Sequence, residues 1–425
     1  METYIIVVFV AGYLAIALEH PIKINKAASA LLTGVLCWAL FSFSDSVASG
    51  ESVQAFIKSE LSHHLAAIAS IIFFLMGAMT IVELIDVHHG FRFITNLIRT
   101  TNLKKLLWLV AWITFFLSAL LDNLTTTIVM VSLTRKLIPE RAQKMLFIGM
   151  IVIAANAGGA WSPIGDVTTT MLWIGGQVTT GGLIQNLFIP SVVCLLLPLI
   201  VVTFTMNSQP INQDFQPEDS LYVAGGKTML FTGLGVLLFV PVFKSVTHLP
   251  PFMGMLLGLG IVWLVSEFIN PDLDETERKK YSAASALSRI DTSSVLFFFG
   301  ILLAVGALES MGVLHRFSQS LQSTIGNQSV IITLIGMISA IVDNVPLVAA
   351  SMGMYSLTEF PQDSMIWQYL AYCAGTGGSL LIIGSAAGVA AMGMERIDFI
   401  WYLKKISWLA FIGYAGGAAT YLLLT

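Results

Sequence analysis

The chain has 425 residues, of which 56% are hydrophobic and only 11% are charged, and its net charge is −4. Soluble domains carry roughly 25% charged residues, so this composition excludes an ordinary soluble domain and predicts a polytopic membrane protein in contact with lipid. No basic patch indicates a nucleic-acid partner. The three cysteines lie in apolar sequence without CxxC spacing, which argues against disulfides and metal clusters.

Apolar segments follow one another along the whole chain. Their approximate bounds are 4–18, 27–44, 62–85, 106–134, 145–178, 183–205, 228–243, 250–268, 292–311, 329–358, 366–391 and 405–424.

Two of these segments contain the same polar dipeptide, Asp122-Asn123 in 106–134 and Asp343-Asn344 in 329–358. A carboxylate at bilayer depth costs about 2.5–3.5 kcal/mol on insertion scales, so each acid indicates a functional site. We predict that both segments are re-entrant hairpins, each entering and leaving the membrane on one side.

The basic residues favour this topology. With both hairpins re-entrant, the 21 lysines and arginines fall on one side of the membrane, except Lys58, Lys244 and Arg316. Basic loops face the cytoplasm, so we expect about ten transmembrane helices and both termini outside. The first hairpin then opens to the cytoplasm and the second to the exterior.

The chain divides into two similar halves. Residues 1–205 form the predicted first repeat, 206–227 form a polar cytoplasmic linker, and 228–425 form the second repeat. The offset between matching residues is 221 for the Asp-Asn dipeptides (343 − 122) and 219 for the Gly-Gly pairs (377 − 158). Five crossings in each half would turn the second half over, so we predict two inverted repeats with the substrate site between them.

A glycine-rich interruption follows each hairpin. Gly158, Gly159 and Pro163 interrupt segment 145–178, and Gly377 and Gly378 interrupt segment 366–391. Non-helical backbone at membrane depth is tolerated only where it is buried in protein or lines a cavity. We therefore predict two broken helices that meet the two hairpin tips at the midplane.

The side chains of this predicted pocket are hard oxygen donors, which suit a hard cation such as Na⁺. They are Asp122, Asp166, Asp343, Asn123, Asn156, Asn344, Thr125, Thr126, Thr168, Thr169, Ser379 and Ser385. No Lys or Arg lies within a predicted spanning core, so we expect no fixed charge to neutralise an anion. Glu83, Asp86 and Glu309 lie toward helix ends, where interfacial or proton-pathway roles are favoured over cation binding.

A buried carboxylate can hold a proton or help to hold Na⁺, and the two ligands compete. The hypothesis is a transporter, not an enzyme, that exchanges Na⁺ for H⁺ by alternating access, without a cofactor. Asp166 and the Asp122/Asp343 pair would be the shared ligands. Because the second repeat has Ser385 in place of Asp166, we expect the site to lean toward the first repeat.

Other readings of the same residues stay open. Asp122, Asp166 and Asp343 can be helix N-caps, a role compatible with ligand binding. An anion carrier would favour neutral residues at both hairpin tips, and a cation channel would need no broken helices. An intramembrane aspartyl protease wants Tyr-Asp and Gly-x-Gly-Asp, whereas this chain has Pro163-Ile164-Gly165-Asp166 and no Tyr-Asp.

Four stretches, at residues 77–86, 121–127, 156–169 and 342–346, resemble motifs of NhaD-type sodium/proton antiporters. These antiporters belong to the ion transporter superfamily, with arsenite and di- and tricarboxylate carriers. The resemblance implies Na⁺ and Li⁺ extrusion across a bacterial inner membrane, an elevator-like transport domain and a homodimer. The functional set that it implies is Asp122, Asn123, Asn156, Asp166, Thr168, Thr169, Asp343 and Asn344.

Overall fold

A computed structural model of the chain describes residues 1–44, 52–95, 100, 102–206, 225–269 and 279–425. Most of the predicted linker 206–227 lies outside these ranges. The helices of the first half are α1 (Glu2–Ala17), α2 (Glu19–Ile22), α3 (Lys26–Phe41), α4 (Val53–Val87), α5 (Arg92–Thr95), α6 (Leu103–Leu121), α7 (Asn123–Leu137), α8 (Arg141–Gly159), α9 (Val167–Ile174) and α10 (Thr180–Thr205).

The elements of the second half are also helices, within its described residues. Its helices are α11 (Gly226–Thr247), α12 (Pro251–Ile269), α13 (Ala283–Arg289), α14 (Thr292–Ser310), α15 (Val313–Ile325), α16 (Gln328–Ile338), α17 (Asn344–Met354), α18 (Met365–Gly377), α19 (Ala386–Glu395), α20 (Phe399–Lys405) and α21 (Ser407–Leu424).

Eight helices in the described ranges are long and apolar enough to cross a membrane, namely α4, α6, α8, α10, α11, α12, α14 and α21. The pair α15 and α16, bent by 115°, would make a ninth span if it crosses as one. The chain is therefore an all-α, multi-span membrane protein. The count by length is below ten because α1 and α3 have 16 residues each and segment 366–391 is split.

Each Asp-Asn dipeptide lies where one helix ends and the next begins. Asp122 separates α6 from α7 and has a φ of 130°, which non-glycine residues rarely adopt. Its Oδ1 accepts a hydrogen bond from the Thr125 amide at 2.7 Å. Asp343 likewise caps α17, accepting from the Val345 amide at 3.3 Å. Both aspartates are N-caps, and re-entry of the two hairpins from one side stays a prediction.

The two interrupted segments are broken at their glycine pairs. Helix α8 ends at Gly159 and α9 begins at Val167, while α18 ends at Gly377 and α19 begins at Ala386. The two helices that meet at each Asp-Asn dipeptide form a helix pair, α6 with α7 and α16 with α17. At each break the chain packs against the first helix of one of these pairs. A Cβ on Gly158 would lie 2.1 Å from the Phe115 carbonyl oxygen, and one on Gly377 would lie 2.0 Å from the Gly336 carbonyl oxygen.

A second close approach recurs in the same way. A Cβ on Gly165 would lie 2.7 Å from the Ser118 carbonyl oxygen, and one on Gly384 would lie 2.6 Å from the Ala340 carbonyl oxygen. These matched contacts join corresponding positions of the two predicted repeats. They favour a duplicated unit, whose inversion across the membrane stays a prediction.

We expect Gly158→Ala and Gly377→Ala each to destabilise the protein, because a new Cβ would meet backbone that no rotamer change can move. Overpacking of this kind costs about 1–3 kcal/mol or more. The thermal unfolding midpoint of the detergent-solubilised protein measures the effect. Gly235→Ala is the matched control, since nothing lies within 4 Å of its Cβ position. An unchanged midpoint for Gly158→Ala would contradict this packing.

Candidate ion-binding site

Asp166 is positioned by the break between α8 and α9. The glycines and Pro163 stop the helix, and Asp166 restarts it as the N-cap of α9. Its Oδ1 accepts hydrogen bonds from the Thr168 amide at 2.8 Å and from Thr168 Oγ1 at 2.7 Å. The side chain is buried, with 1% of the residue exposed. The broken helix thus holds one carboxylate inside the protein.

The tips of both helix pairs converge on this carboxylate. Asn123, the first residue of α7, donates its Nδ2 hydrogen to Asp166 Oδ2 at 2.6 Å. Asn344, the first residue of α17, donates to Asp166 Oδ1 at 3.4 Å. Two residues that are 221 positions apart (344 − 123) therefore contact one acid.

Asn156 on α8 connects this acid to the second broken helix. Its Oδ1 accepts from Asn123 Nδ2 at 3.0 Å, and its Nδ2 donates to Ser379 Oγ and Ser385 Oγ, both at 2.9 Å. We call the connected set the Asp166 network. Its members are Asn123, Asn156, Asp166, Thr168, Asn344, Ser379 and Ser385, all of them buried.

The carboxylate of the Asp166 network has neutral donors and, within the described residues, no lysine or arginine in contact. Burying an ionised carboxylate without a counter-charge is costly, so the arrangement calls for a proton or a cation. Thr126 Oγ1 and Thr127 Oγ1 are buried nearby on the first turn of α7 without a hydrogen-bond partner in the described ranges. Such oxygens are available to a small hard cation.

Asp122 and Thr169 lie beside the network without contacting its carboxylate. Asp122 Oδ2 accepts from Thr125 Oγ1 at 2.9 Å, so both carboxylate oxygens serve the cap of α7. Thr169 Oγ1 donates to the main-chain oxygen of Asp166 at 2.9 Å. These two residues support the loops that carry the network.

Asp343 is paired with a lysine, a contact that the sequence pattern does not predict. Lys26 Nζ lies 2.8 Å from Asp343 Oδ2 and 4.4 Å from the centroid of the Phe297 ring. The two side chains are 27% and 17% exposed. Lys26 lies just outside the predicted spanning segment 27–44, and it brings a fixed positive charge next to Asp343. The charge pattern had assigned Lys26 to a basic loop, and no local signal links residues 317 positions apart.

A cavity of about 380 Å³ lies beside the network. Lys26, Asp343 and Leu124 line it, together with Ser385 of the network itself. Asp291, the N-cap of α14, lies in the same lining. The Lys26–Asp343 pair and Ser385 of the network therefore line one cavity.

The remaining acidic candidates lie away from the network. Glu83 Oε1 is 3.7 Å from Arg289 Nη1 at the end of α13. Asp86, near the end of α4, and Glu309, near the end of α14, are exposed. Among the described contacts, none joins these three acids to the Asp166 network, which fits roles at the helix ends.

Comparison with known proteins gives related membrane transporters along almost the whole chain. Residues 7–375 match the family model described as a citrate transporter. Sodium/proton antiporter 1 of Arabidopsis thaliana is 52% identical over 97% of this chain and 71% of its own length. Sodium/proton antiporter 2 of the same plant is 47% identical over 97% of both chains. The Na⁺/H⁺ antiporter NhaD of Vibrio cholerae is 30% identical over 99% of this chain and 91% of its own.

A solved structure has a similar fold. The crystal structure of the Alcanivorax borkumensis YdaH transporter matches with a TM-score of 0.60 and 11% sequence identity, covering 93% of this chain and 96% of that one. At this identity the likeness concerns the fold alone.

We expect Asn156→Ala to destabilise the protein by about 1–3 kcal/mol. The substitution removes the hydrogen-bond partner of Asn123 Nδ2, Ser379 Oγ and Ser385 Oγ, which are buried. The free energy of unfolding in detergent would measure this change. Asn186→Ala is the matched control, since it removes one partly buried amide contact, to Gln368, outside the network. An equal loss of unfolding free energy in the two variants would show that the buried network contributes no more to stability than a partly buried contact.

Proposed function

This chain belongs to the NhaD-type sodium/proton antiporters, and we propose that it exchanges cytoplasmic Na⁺, and Li⁺, for external H⁺ by alternating access. The observation that carries the proposal is the buried Asp166 carboxylate, held by neutral donors from both helix-pair tips and from its own broken helix. The Asp166 carboxylate can be neutralised by one cation or one proton at a time. That exclusivity is the chemical requirement for exchange.

In the proposed site, Asp166 is central and the amide and hydroxyl oxygens around it complete a cation's coordination. The primary residues are Asp122, Asn123, Asn156, Asp166, Thr168, Thr169, Asp343 and Asn344, with Thr126, Ser379 and Ser385 at the edge. Na⁺ is cargo here and not a resident cofactor. When Na⁺ leaves, a proton on the carboxylate keeps the buried site neutral for the return step.

Lys26 takes part in the proposed cycle as a tethered cation. In the structure its amino group forms an ion pair with Asp343, and both residues line the cavity through which an ion would arrive. Na⁺ must displace the amino group before Asp343 can become a ligand. The lysine therefore tunes how tightly the site holds Na⁺.

The proposed orientation follows from the charge distribution. The cavity is lined by Asn25, Lys26 and Asp291, which lie on the side that the positive-inside rule assigns to the cytoplasm. We propose a bacterial cytoplasmic membrane, both termini outside, and elevator-like movement of the helix pairs in a homodimer. The location and the dimer rest on the resemblance to NhaD-type antiporters.

Anion transport is the second candidate, because the matching family model is described as a citrate transporter and Lys26 lies next to the site. The charge of the cavity counts against it. Glu19, Asp291 and Asp343 line the cavity against the single cation Lys26. A carboxylate substrate would meet excess negative charge at this entrance.

The antiport proposal is tested by Na⁺-induced dequenching of a pH dye in everted vesicles. We expect Asp166→Asn to abolish the Na⁺ and Li⁺ responses, because the amide can neither ionise nor carry a proton. Asp398→Asn is the matched control at an exposed N-cap, where Asn caps as well as Asp. Intact dequenching in Asp166→Asn, or a response to citrate and not to Na⁺, would overturn the proposal.

The role of Lys26 is tested by the apparent KM for Na⁺. We expect Lys26→Gln to lower this KM by about tenfold, the equivalent of removing about 1.4 kcal/mol of competition at Asp343. Lys26→Arg, which keeps the charge, should stay close to the wild type. Lys23→Gln is the control for charge alone, because Lys23 is exposed outside the cavity lining. An unchanged KM in Lys26→Gln would contradict the role.

A further inference from the structure

A second cavity lies at the opposite ends of three helices that carry the Asp166 network. Its volume is about 310 Å³, and its lining consists of Arg135, Arg141, Lys144, Met394, Glu395 and Arg396. Arg135 is near the end of α7, Arg141 and Lys144 are in the first turn of α8, and Glu395 ends α19. We call this the basic cavity, since four cations surround one carboxylate.

The single acid of the basic cavity is fully engaged. Arg135 Nε donates to Glu395 Oε1, and Lys144 Nζ lies 3.3 Å from Glu395 Oε2. Arg135 Nη2 donates to the Met394 carbonyl oxygen at 2.5 Å. Burial raises the pKa of Glu395, but the hydrogen bonds from Arg135 and Lys144 outweigh it and bring the pKa below its ordinary value. Glu395 therefore stays ionised and offsets one of the four positive charges.

The other two cations have no counter-charge in the described part of the chain. Arg141 and Arg396 are exposed and form no ion pair with a described residue. Arg396 has a φ of 50°, a left-handed conformation that is unfavourable for arginine and places it at the end of α19. Glu140, the N-cap of α8, makes no side-chain capping hydrogen bond, which leaves first-turn amides of that helix available.

Arginines, a lysine and free amides at a helix N-terminus together suit a phosphate group. We propose that the basic cavity binds the phosphate of an anionic lipid headgroup from the cytoplasmic leaflet. The cavity favours a lipid over a soluble anion because it lies where transmembrane segments end, on the side predicted to be basic. Basic pockets at this level attract anionic headgroups in other membrane proteins.

The bound headgroup would hold together the far ends of helices that form the ion site. Helix α7 begins at Asn123, α8 carries Asn156, and α19 begins just after Ser385. Among the described residues, Glu395 alone joins Arg135 to Lys144 across the three ends. A phosphate contacting Arg141 and Arg396 adds a second tie, and its effect on transport rests on the proposed antiport.

The binding is tested with the full chain in neutral phosphatidylcholine nanodiscs into which phosphatidylglycerol is titrated. The thermal unfolding midpoint reports binding. We expect the double variant R141Q/R396Q to lower the apparent affinity about 30-fold, corresponding to about 1 kcal/mol for each cation. The double variant K404Q/K405Q is the matched control, removing two exposed charges on the same predicted side outside the cavity. Equal affinity losses in both double variants would overturn the site.

Inorganic phosphate added to nanodiscs of neutral lipid separates the two sources of this chemistry. If phosphate alone reproduces the full rise in midpoint, the ligand is a soluble anion and the lipid assignment is overturned. If it does not, the lipid is supported. In vesicles, phosphatidylglycerol should stimulate Na⁺/H⁺ exchange by the wild type more than by R141Q/R396Q. Absence of any exchange would overturn the antiport proposal and leave the binding result standing, because unfolding does not depend on transport.

Discussion

The arrangement of the ion site depends on one buried carboxylate, Asp166, which has no fixed counter-charge among the described residues. Asp166 is deep inside the protein, and its described hydrogen-bond donors are an amide, a hydroxyl and two asparagines. Neutral donors lower the cost of burying the charge without cancelling it. A proton or a cation on Asp166 would cancel the remaining charge.

Backbone packing makes this burial possible. The glycines at each break allow the main chain to touch the neighbouring helix pair, so the polar tips of four elements reach one point. Side chains at these positions would separate the breaks from the tips and admit water. The same small-residue contacts occur in both halves, although Asp166 itself comes from the first half. The second half contributes the neutral side chains of Asn344, Ser379 and Ser385 to the Asp166 network.

Much of this site could be predicted because polar residues in apolar segments have few explanations. Asn123, Asn156, Asp166 and Asn344 stand out by that criterion, and the paired glycines indicate the breaks. The Lys26–Asp343 pair could not be predicted, since it depends on how α3 lies against the second half. Helix α15 was also missed, because it is amphipathic, with only Leu314 and Ser318 buried, and lacks an apolar run. Some helices begin several residues before the predicted apolar segments, because polar caps such as Asn102 and Ser52 extend them beyond their apolar stretches.

The position of Lys26 also has an electrical consequence. Its amino group is tethered to α3, whereas Asp343 belongs to the tip of α17. Any movement that carries this tip away from α3 separates one positive from one negative charge. A membrane potential does about 2.3 kcal/mol of work per 100 mV on a unit charge that crosses the whole field. Voltage would thus act on the protein's own ion pair as well as on the ions that it carries.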